Sequence, residues 1–293
     1  MTVFQPNSLN EALELLNGHP EATLLSGGTD LMVGVNFGRF RPSAVVSLNR
    51  IDSLKGCELI DGGATLRIGS GVTYAALMAS EVASLAPALV EAARTVGSPQ
   101  IRNAATIGGN LGTCSPAGDT LPVLSALGAD IEIASIGGTR LVAFDDFMVG
   151  PKRSCLEAGE CVIAVRVPVR SGWQGFAKVG TRNAMVIAIC NVAFVADRNS
   201  ERVTLGLGSV GPTILNAPDA SKWIETRIDW QDWTCLASPD EILTEFRPLV
   251  SSAARPIDDH RSTAHYRAHA VGVLASRLLS RAFQPEVRER LHG

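Results

Sequence analysis

The sequence of 293 residues predicts an α+β fold with two domains. Short strand-like runs and helix-like segments are mixed over the first part of the chain, without the regular alternation of a Rossmann sheet. A stretch rich in proline and glycine, 167–175, then interrupts the pattern. Beyond it, strand-like runs come first and helices follow. We therefore expect one domain over residues 1–170 and a second over residues 171–293.

The composition excludes several classes of partner and site. With 46% hydrophobic residues, 19% charged residues and a net charge of -3, the chain has no basic surface for nucleic acid or an anionic membrane. No signal peptide or membrane-spanning run is present, which predicts a cytoplasmic protein. The six cysteines include no C-x-x-C pair, so we expect reduced thiols and no disulfide framework, zinc site or iron-sulfur cluster.

The elements of the first domain follow from local signals. Ser8 and Glu11 form a predicted capping box, and apolar spacing predicts a helix from there to Gly18. Further helices are predicted near YAALMAS and ALVEAARTV. The predicted strands are ATLLS, SAVVSL, TLRIGS, ADIEIAS, TRLVAF and CVIAVRV.

The second domain is predicted to be a small antiparallel sheet covered by helices. Its strands are GFAKV, the apolar run MVIAICNVAFVA and RVTLGLG, with a D-R-N-S turn between the last two. A helix is expected from Ser262 to about Phe283, with several arginines outside its apolar face. The expected apolar face consists of Ala264, Ala268, Val271, Leu274 and Leu278.

Four Gly-Gly pairs divide into two kinds. The pairs at 62–63 and 137–138 lie between strand-like runs, where glycine supplies the positive φ of a hairpin connection. The pairs at 27–28 and 108–109 instead follow apolar segments and have hydroxyl, carboxylate or amide side chains beside them. Consecutive glycines let backbone N–H groups converge on an anion. Two such loops could hold a diphosphate from two sides.

The two loops also carry a resemblance. LLSGGTDLMVGV and SPQIRNAATIGGNLGTCSPAGDTLPVLSALGADIEI resemble the FAD-binding, or medium, subunit of the molybdenum hydroxylases, the xanthine dehydrogenase and carbon monoxide dehydrogenase family. The likeness continues through EAGECVIAVRVP, GFAKVGTR, AICNVAF and LGSVGPT to RPIDDHRSTAHYRAHAVGVL. It implies a two-subdomain FAD-binding fold of the vanillyl-alcohol oxidase-like (PCMH) type, followed by a small domain of antiparallel sheet and helices.

The resemblance also implies which residues hold FAD. One side of the diphosphate would contact Leu24, Leu25, Ser26, Gly27, Gly28, Thr29, Asp30 and Leu31, and the other side Thr106, Gly108, Gly109 and Asn110. Val96, Gly97, Asp119, Val162 and Lys178 match further positions along the cofactor. From the residues alone, Val162 could equally be a core valine of a strand, and Asp119 could cap the helix TLPVLSAL.

The function implied by the resemblance is electron transfer, without acid-base catalytic residues in this chain. A large partner subunit would bind the molybdopterin cofactor, a small partner would carry 2Fe-2S clusters, and the assembly would be a dimer of heterotrimers. Two alternatives stay open: a stand-alone flavin oxidase or reductase, and a flavin-free scaffold subunit. The substrate and the terminal electron acceptor are not determined.

Two other patterns are expected to carry no chemistry. The G-x-G-x-x-G run at 206–211 is followed by prolines that leave no room for the helix of a nucleotide-binding fingerprint. His265 and His269 stand four apart but lack further metal ligands. No G-x-S-x-G sequence indicates a hydrolase.

Overall fold

The computed structural model describes residues 1–287. The strands are β1 Thr2–Phe4, β2 Thr23–Leu25, β3 Ala44–Ser47, β4 Cys57–Ile60, β5 Thr65–Gly69, β6 Asp130–Ser135, β7 Gly138–Ala143, β8 Met148–Gly150, β9 Arg153–Ser154, β10 Cys161–Pro168, β11 Gly172–Val179, β12 Cys190–Asp197, β13 Arg202–Gly208, β14 Leu215–Asn216, β15 Ile228–Asp229 and β16 Thr234–Cys235. The helices are α1 Leu9–Gly18, α2 Leu31–Asn36, α3 Tyr74–Ala79, α4 Pro87–Thr95, α5 Pro99–Ala104, α6 Ile107–Thr113, α7 Leu121–Leu127, α8 Phe144–Phe147, α9 Pro218–Glu225, α10 Pro239–Glu241, α11 Arg247–Ala253 and α12 Ala264–Ala282. A π-helical turn over Ile242–Phe246 joins α10 to α11.

The chain divides into two compact units that are not continuous in sequence. The first unit contains Met1–Val82, Val96–Ser115 and Gly128–Pro168, and the second contains Ala83–Thr95, Pro116–Leu127 and Val169–Gly293. Two inner segments, with α4 and α7, therefore belong with the C-terminal part. The predicted domain boundary at residue 170 stays a prediction.

The first unit is built on two larger sheets and also contains the two-stranded sheet β8-β9. A parallel sheet has the order β1-β3-β2, and an antiparallel sheet has the order β4-β5-β10-β6-β7. Helix α1 begins as predicted: Ser8 Oγ accepts from Glu11 N, while the Glu11 carboxylate accepts from Asn7 N at 2.8 Å, one residue before the predicted partner. Its buried side chains Ala12, Leu13 and Leu16 join a core shared with both sheets.

The second unit is a four-stranded antiparallel sheet, β11-β12-β13-β14, with helices packed on it. The predicted strand over the whole of MVIAICNVAFVA is wrong in its first part, because β12 begins only at Cys190. Residues 185–187 are irregular, and Met185 and Ile187 are exposed. Apolar composition alone does not pair a strand, since pairing needs a neighbour at the same register.

The last helix, α12, differs from its prediction in one buried residue. Its apolar face packs into the core of the second unit, but Ala264 and Ala268 are only half-buried. Arg267, expected outside the apolar face, is buried, and its guanidinium donates to the carbonyls of Ile189 and Ser209 and to Asp259. An arginine can be buried here because these acceptors satisfy most of its donors.

Candidate functional site

The two glycine loops lie together in the first unit. The first loop leaves the parallel sheet where β2 ends at Leu25, and the second enters α6 through Thr106. Ser26 Oγ and Thr106 Oγ1 are 3.0 Å apart, although the residues are eighty positions apart in sequence. The two loops are therefore adjacent in the structure, and their role in holding a diphosphate stays a prediction.

The first loop carries a run of unused backbone donors. The N–H groups of residues 27–30 find no acceptor within residues 1–287. Gly28 has a φ of 70°, a conformation that disfavours other residues. Residues 26–29 are half-buried rather than fully exposed. Because unpaired N–H groups in a half-buried loop are costly, this arrangement fits an oxyanion such as a diphosphate.

The second loop differs from the expectation of a matching set of free donors. The N–H groups of Ile107 and Gly108 donate to the carbonyls of Val72 and Ser70, and Gly109 N donates to Thr106 Oγ1 at 2.9 Å. A Cβ on Gly108 would lie 2.4 Å from Ser70 Cβ, so this glycine is required for packing on the end of β5. The second loop therefore uses these backbone donors within the fold and does not form a backbone nest.

A short turn and helix α5 support the first loop from behind. Gly97 has a φ of 46°, and the guanidinium of Arg102 donates to the carbonyls of Val96 and Gly97, each at 3.0 Å. A Cβ on Gly27 would lie 1.9 Å from the Ala104 carbonyl oxygen at the end of α5. Gly27 is therefore required so that the loop can touch this carbonyl.

Asp119 and Lys178 form a buried ion pair in the second unit. Lys178 Nζ is 2.5 Å from Asp119 Oδ2, and their side chains are 8% and 7% exposed. Thr95 Oγ1 donates to Oδ2 and Asn191 Nδ2 donates to Oδ1. Burial raises the pKa of the Asp119 carboxyl group, and the Lys178 ammonium and the two neutral donors oppose that rise. The Asp119 carboxylate therefore accepts hydrogen bonds from three side chains, rather than from the backbone at the start of a helix as an N-cap would.

Val162 lies in β10 and is buried in the first unit. The pairing of β10 with β6 shifts register between Val162 and Ala164, so the strand has a bulge at this point. The position is compatible with the core valine that the residues alone also allowed. Of the remaining predicted residues of the first unit, Thr29 and Asp30 lie in the first loop, whereas Leu24 lies in β2, Leu31 begins α2 and Asn110 lies in α6.

Several residues of these arrangements were missed by the sequence analysis. Thr95 and Asn191 donate to the Asp119 carboxylate. Arg102 donates to the turn before α5, and the Ser70 carbonyl accepts from Gly108 N at the start of α6. Arg102 and Asn191 stand inside the motifs QIRNAATIGGN and AICNVAF. No periodicity or spacing marks them, because their partners are distant in sequence.

The patterns expected to be inert have structural explanations. Gly206 and Gly208 lie in β13, where a Cβ would lie 2.0 Å from the Pro122 carbonyl oxygen and from Asn191 Oδ1 respectively. The pairs at 62–63 and 137–138 lie in the connections β4–β5 and β6–β7, as predicted. Within residues 1–287, no cluster of His, Cys, Asp and Glu could hold a metal ion, and no helix is long and apolar enough to cross a membrane.

Comparison with known proteins identifies the family. Residues 1–170 match the model described as the FAD binding domain in molybdopterin dehydrogenase. The chain belongs to this family. Residues 176–282 match the CO dehydrogenase flavoprotein C-terminal domain. The chain thus has the architecture of a medium subunit of the molybdenum hydroxylases, with an FAD-binding domain, and is an oxidoreductase component.

Relatives of the family match over nearly the whole chain. The glyceraldehyde dehydrogenase medium chain of Sulfolobus acidocaldarius is 30% identical over 91% of this chain and 92% of its own length. The carbon monoxide dehydrogenase medium chain of Afipia carboxidovorans is 30% identical over 95% of each chain. A solved structure of CO dehydrogenase from Oligotropha carboxidovorans superimposes with a TM-score of 0.87 at 28% identity, covering 96% of this chain and 97% of that one. These matches agree with the predicted fold class, the PCMH type with a small C-terminal domain.

Proposed function

We propose that this chain is the electron-transfer subunit of a multi-subunit molybdenum hydroxylase. It would bind FAD, receive electrons from 2Fe-2S clusters of a small partner subunit and pass them to a terminal acceptor. A large partner subunit would bind the molybdopterin cofactor and oxidise the substrate, and the assembly would be a dimer of heterotrimers. The proposal of partners is supported by the relatives, which are named medium chains of dehydrogenases.

The observation that carries the proposal is the run of unused N–H groups at residues 27–30. In a chain of this family, FAD is the ligand whose diphosphate would satisfy them. Gly27 and Gly28 keep side chains out of the loop, and the hydroxyls of Ser26 and Thr29 add donors beside it. FAD, once bound, supplies chemistry in which electrons enter and leave one or two at a time.

The other proposed contacts fall into two groups. In the first unit, Leu24, Leu25, Asp30, Leu31, Val96, Gly97, Thr106, Gly108, Gly109, Asn110 and Val162 would shape the cofactor site. In the second unit, Asp119 and Lys178 would present a buried, charge-balanced pair. An ammonium held by a carboxylate and the Thr95 carbonyl keeps a fixed position, which suits a group that orients a flavin.

The first experiment is a visible spectrum of the purified chain. We expect flavin absorption, directly or after adding FAD, with an approximately equimolar content of FAD released on denaturation. A folded chain that shows no flavin bands and does not quench added FAD would support the scaffold alternative and contradict the proposal.

Two glycine variants test the division of the Gly-Gly pairs. In Gly109→Val, a Cβ would lie 3.1 Å from Thr106 Oγ1, so we expect loss of FAD from a folded protein. Gly138→Val serves as the control: its Cβ would meet nothing within 4 Å, and its positive φ predicts only a loss of stability. Equal FAD retention by both folded variants would contradict the assignment.

Purification of the native complex separates the two enzyme alternatives. We expect the chain to copurify with molybdenum and iron in stoichiometric amounts, and to show no substrate oxidation on its own. A metal-free single chain with full turnover would instead support a stand-alone flavin enzyme.

A further inference from the structure

We propose that Arg102 is a positioning residue for the loop 26–31, holding in place the backbone donors that the FAD diphosphate requires. The inference rests on the proposed function, because it assigns how the cofactor loop is kept in shape. Within residues 1–287 the side chain of Arg102 is hydrogen-bonded to the carbonyls of Val96 and Gly97 and not to that loop, so it acts through the turn at 96–97 and through α5. Three structural steps support the assignment.

The first step is the clamp that Arg102 makes. One nitrogen, Nη1, donates to the Val96 and Gly97 carbonyl oxygens, both at 3.0 Å and in a partly buried position. Hydrogen bonds from a charged donor are stronger than those from a neutral one. The clamp therefore ties α5 to the turn that precedes it.

The second step is the shape of that turn. Gly97 is left-handed, and even a Cβ there would lie 2.7 Å from the side chain of Ile101. Ser98 caps α5 by accepting from Ile101 N. With only six residues, α5 has few internal hydrogen bonds, so these end contacts help to fix its placement beside α3.

The third step links α5 to the donors. The last carbonyl of α5, at Ala104, is in contact with Gly27, and the chain then continues to Thr106, which is hydrogen-bonded to Ser26. A shift of α5 would therefore move the Ala104 support of the first loop, whereas the Thr106 support is also held by the bonds of Ile107 and Gly108 to Val72 and Ser70. The N–H groups at 27–30 would then lose the backbone support that Ala104 gives to Gly27.

The test compares Arg102→Met and Arg102→Lys with wild type in the full-length chain. We expect the dissociation constant of FAD, measured by flavin fluorescence quenching, to rise about tenfold or more in R102M, because the charged hydrogen bonds are lost. R102K should lie between R102M and wild type. Hydrogen exchange of the FAD-free protein should accelerate at residues 26–31 and 96–98 in R102M.

Arg67→Met provides the matched control in the same unit. Arg67 also donates to a partly buried partner, Glu132, and to the exposed Glu58, both on the antiparallel sheet. R67M should lower the melting temperature and leave both the FAD affinity and the exchange at 26–31 as in wild type.

If the proposed function is wrong, the wild-type chain itself binds no FAD. That result differs from every outcome that concerns Arg102, because those outcomes compare variants with a wild type that binds FAD. Wild-type affinity and unchanged exchange at 26–31 in a folded R102M would overturn the role of Arg102. A loss of FAD affinity in R102M would also overturn the role if R67M, at an equal loss of stability, lost FAD affinity to the same extent. Should R102M not fold, wild-type affinity in a folded R102K overturns the proposal, since an ammonium lacks the reach and planarity of guanidinium.

Discussion

Ser26 Oγ and Thr106 Oγ1 lie 3.0 Å apart and join two loops that are eighty residues apart in the chain. The same Thr106 hydroxyl accepts from Gly109 N and so also caps α6. One side chain therefore fixes the start of a helix and its distance from the first loop. One variant removes both roles, and two measurements, of unfolding and of FAD binding, distinguish them.

Thr106→Val tests this double role. Valine keeps the size of threonine but removes the hydroxyl, so we expect a loss of about 1 kcal/mol in the free energy of unfolding from the missing cap. We also expect weaker FAD binding, because Ser26 loses its partner across the loops. Denaturant unfolding of the FAD-free protein and fluorescence titration with FAD measure the two effects.

Thr263→Val is the control for T106V, since Thr263 caps α12 in the other unit by accepting from Tyr266 N. It should cost a similar free energy of unfolding and leave FAD affinity unchanged. A T106V protein whose FAD affinity equals that of T263V would show that the Ser26–Thr106 contact is only structural.

Lys178→Met is expected to be strongly destabilising. It leaves the Asp119 carboxylate buried without its cation, which should lower the free energy of unfolding by about 3 kcal/mol. The pKa of Asp119, already raised by burial, should rise further in this variant. The double variant Lys178→Met, Asp119→Asn removes the charge as well and should recover part of the loss. Additive effects in denaturant unfolding would argue against a coupled pair.

Arg267→Ala and Arg277→Ala compare two arginines of α12. Arg267 is buried and bonded to Asp259 and to two strand carbonyls, whereas Arg277 is exposed. Arg267→Ala should cost about 3 kcal/mol, because the carbonyls of Ile189 and Ser209 lose a charged donor and Asp259 keeps Arg261 but loses Arg267. Arg277→Ala should change the free energy of unfolding by less than about 0.5 kcal/mol. Similar melting temperatures for both variants would contradict the buried role of Arg267.

Glu132 predicts a pH dependence of stability. Burial alone would raise its pKa, but hydrogen bonds and charge from Arg67 and Arg166 outweigh this and lower the pKa below the ordinary 4.5. Its contribution to stability is therefore complete above pH 4.5 and is lost as the pH falls through the lowered folded-state pKa. In denaturant unfolding, Glu132→Gln should have a lower free energy of unfolding than wild type near neutral pH, and this difference should become smaller in acid.

Glu58→Gln supplies the comparison for Glu132, since Glu58 pairs with the same Arg67 but has a side chain that is 60% exposed. An exposed ion pair contributes little, so E58Q should follow wild type at every pH. If the free energy of unfolding of E132Q lay below that of wild type by the same amount from neutral to acidic pH, the charge of Glu132 would not be the cause of its stabilising effect.

Much of the local structure was predictable because its causes are local. The helix after Ser8, the hairpins at 62–63 and 137–138 and the strand positions follow from caps, turns and alternation. The strand expected over 185–189 failed because apolar content does not define pairing partners. The burial of Arg267 was not predicted, because the charge of a residue does not reveal which carbonyl groups the fold will place around it.

The sequence by itself determined the family and the two loops that meet, since a motif preserves the residues that a shared fold requires. Only the tertiary structure decided which loop has free donors. The N–H groups of α6 are used by Val72, Ser70 and Thr106, whereas those of residues 27–30 are not. Hydrogen-bond satisfaction depends on which distant groups the fold brings within 3 Å or so, and this information is absent from neighbouring residues.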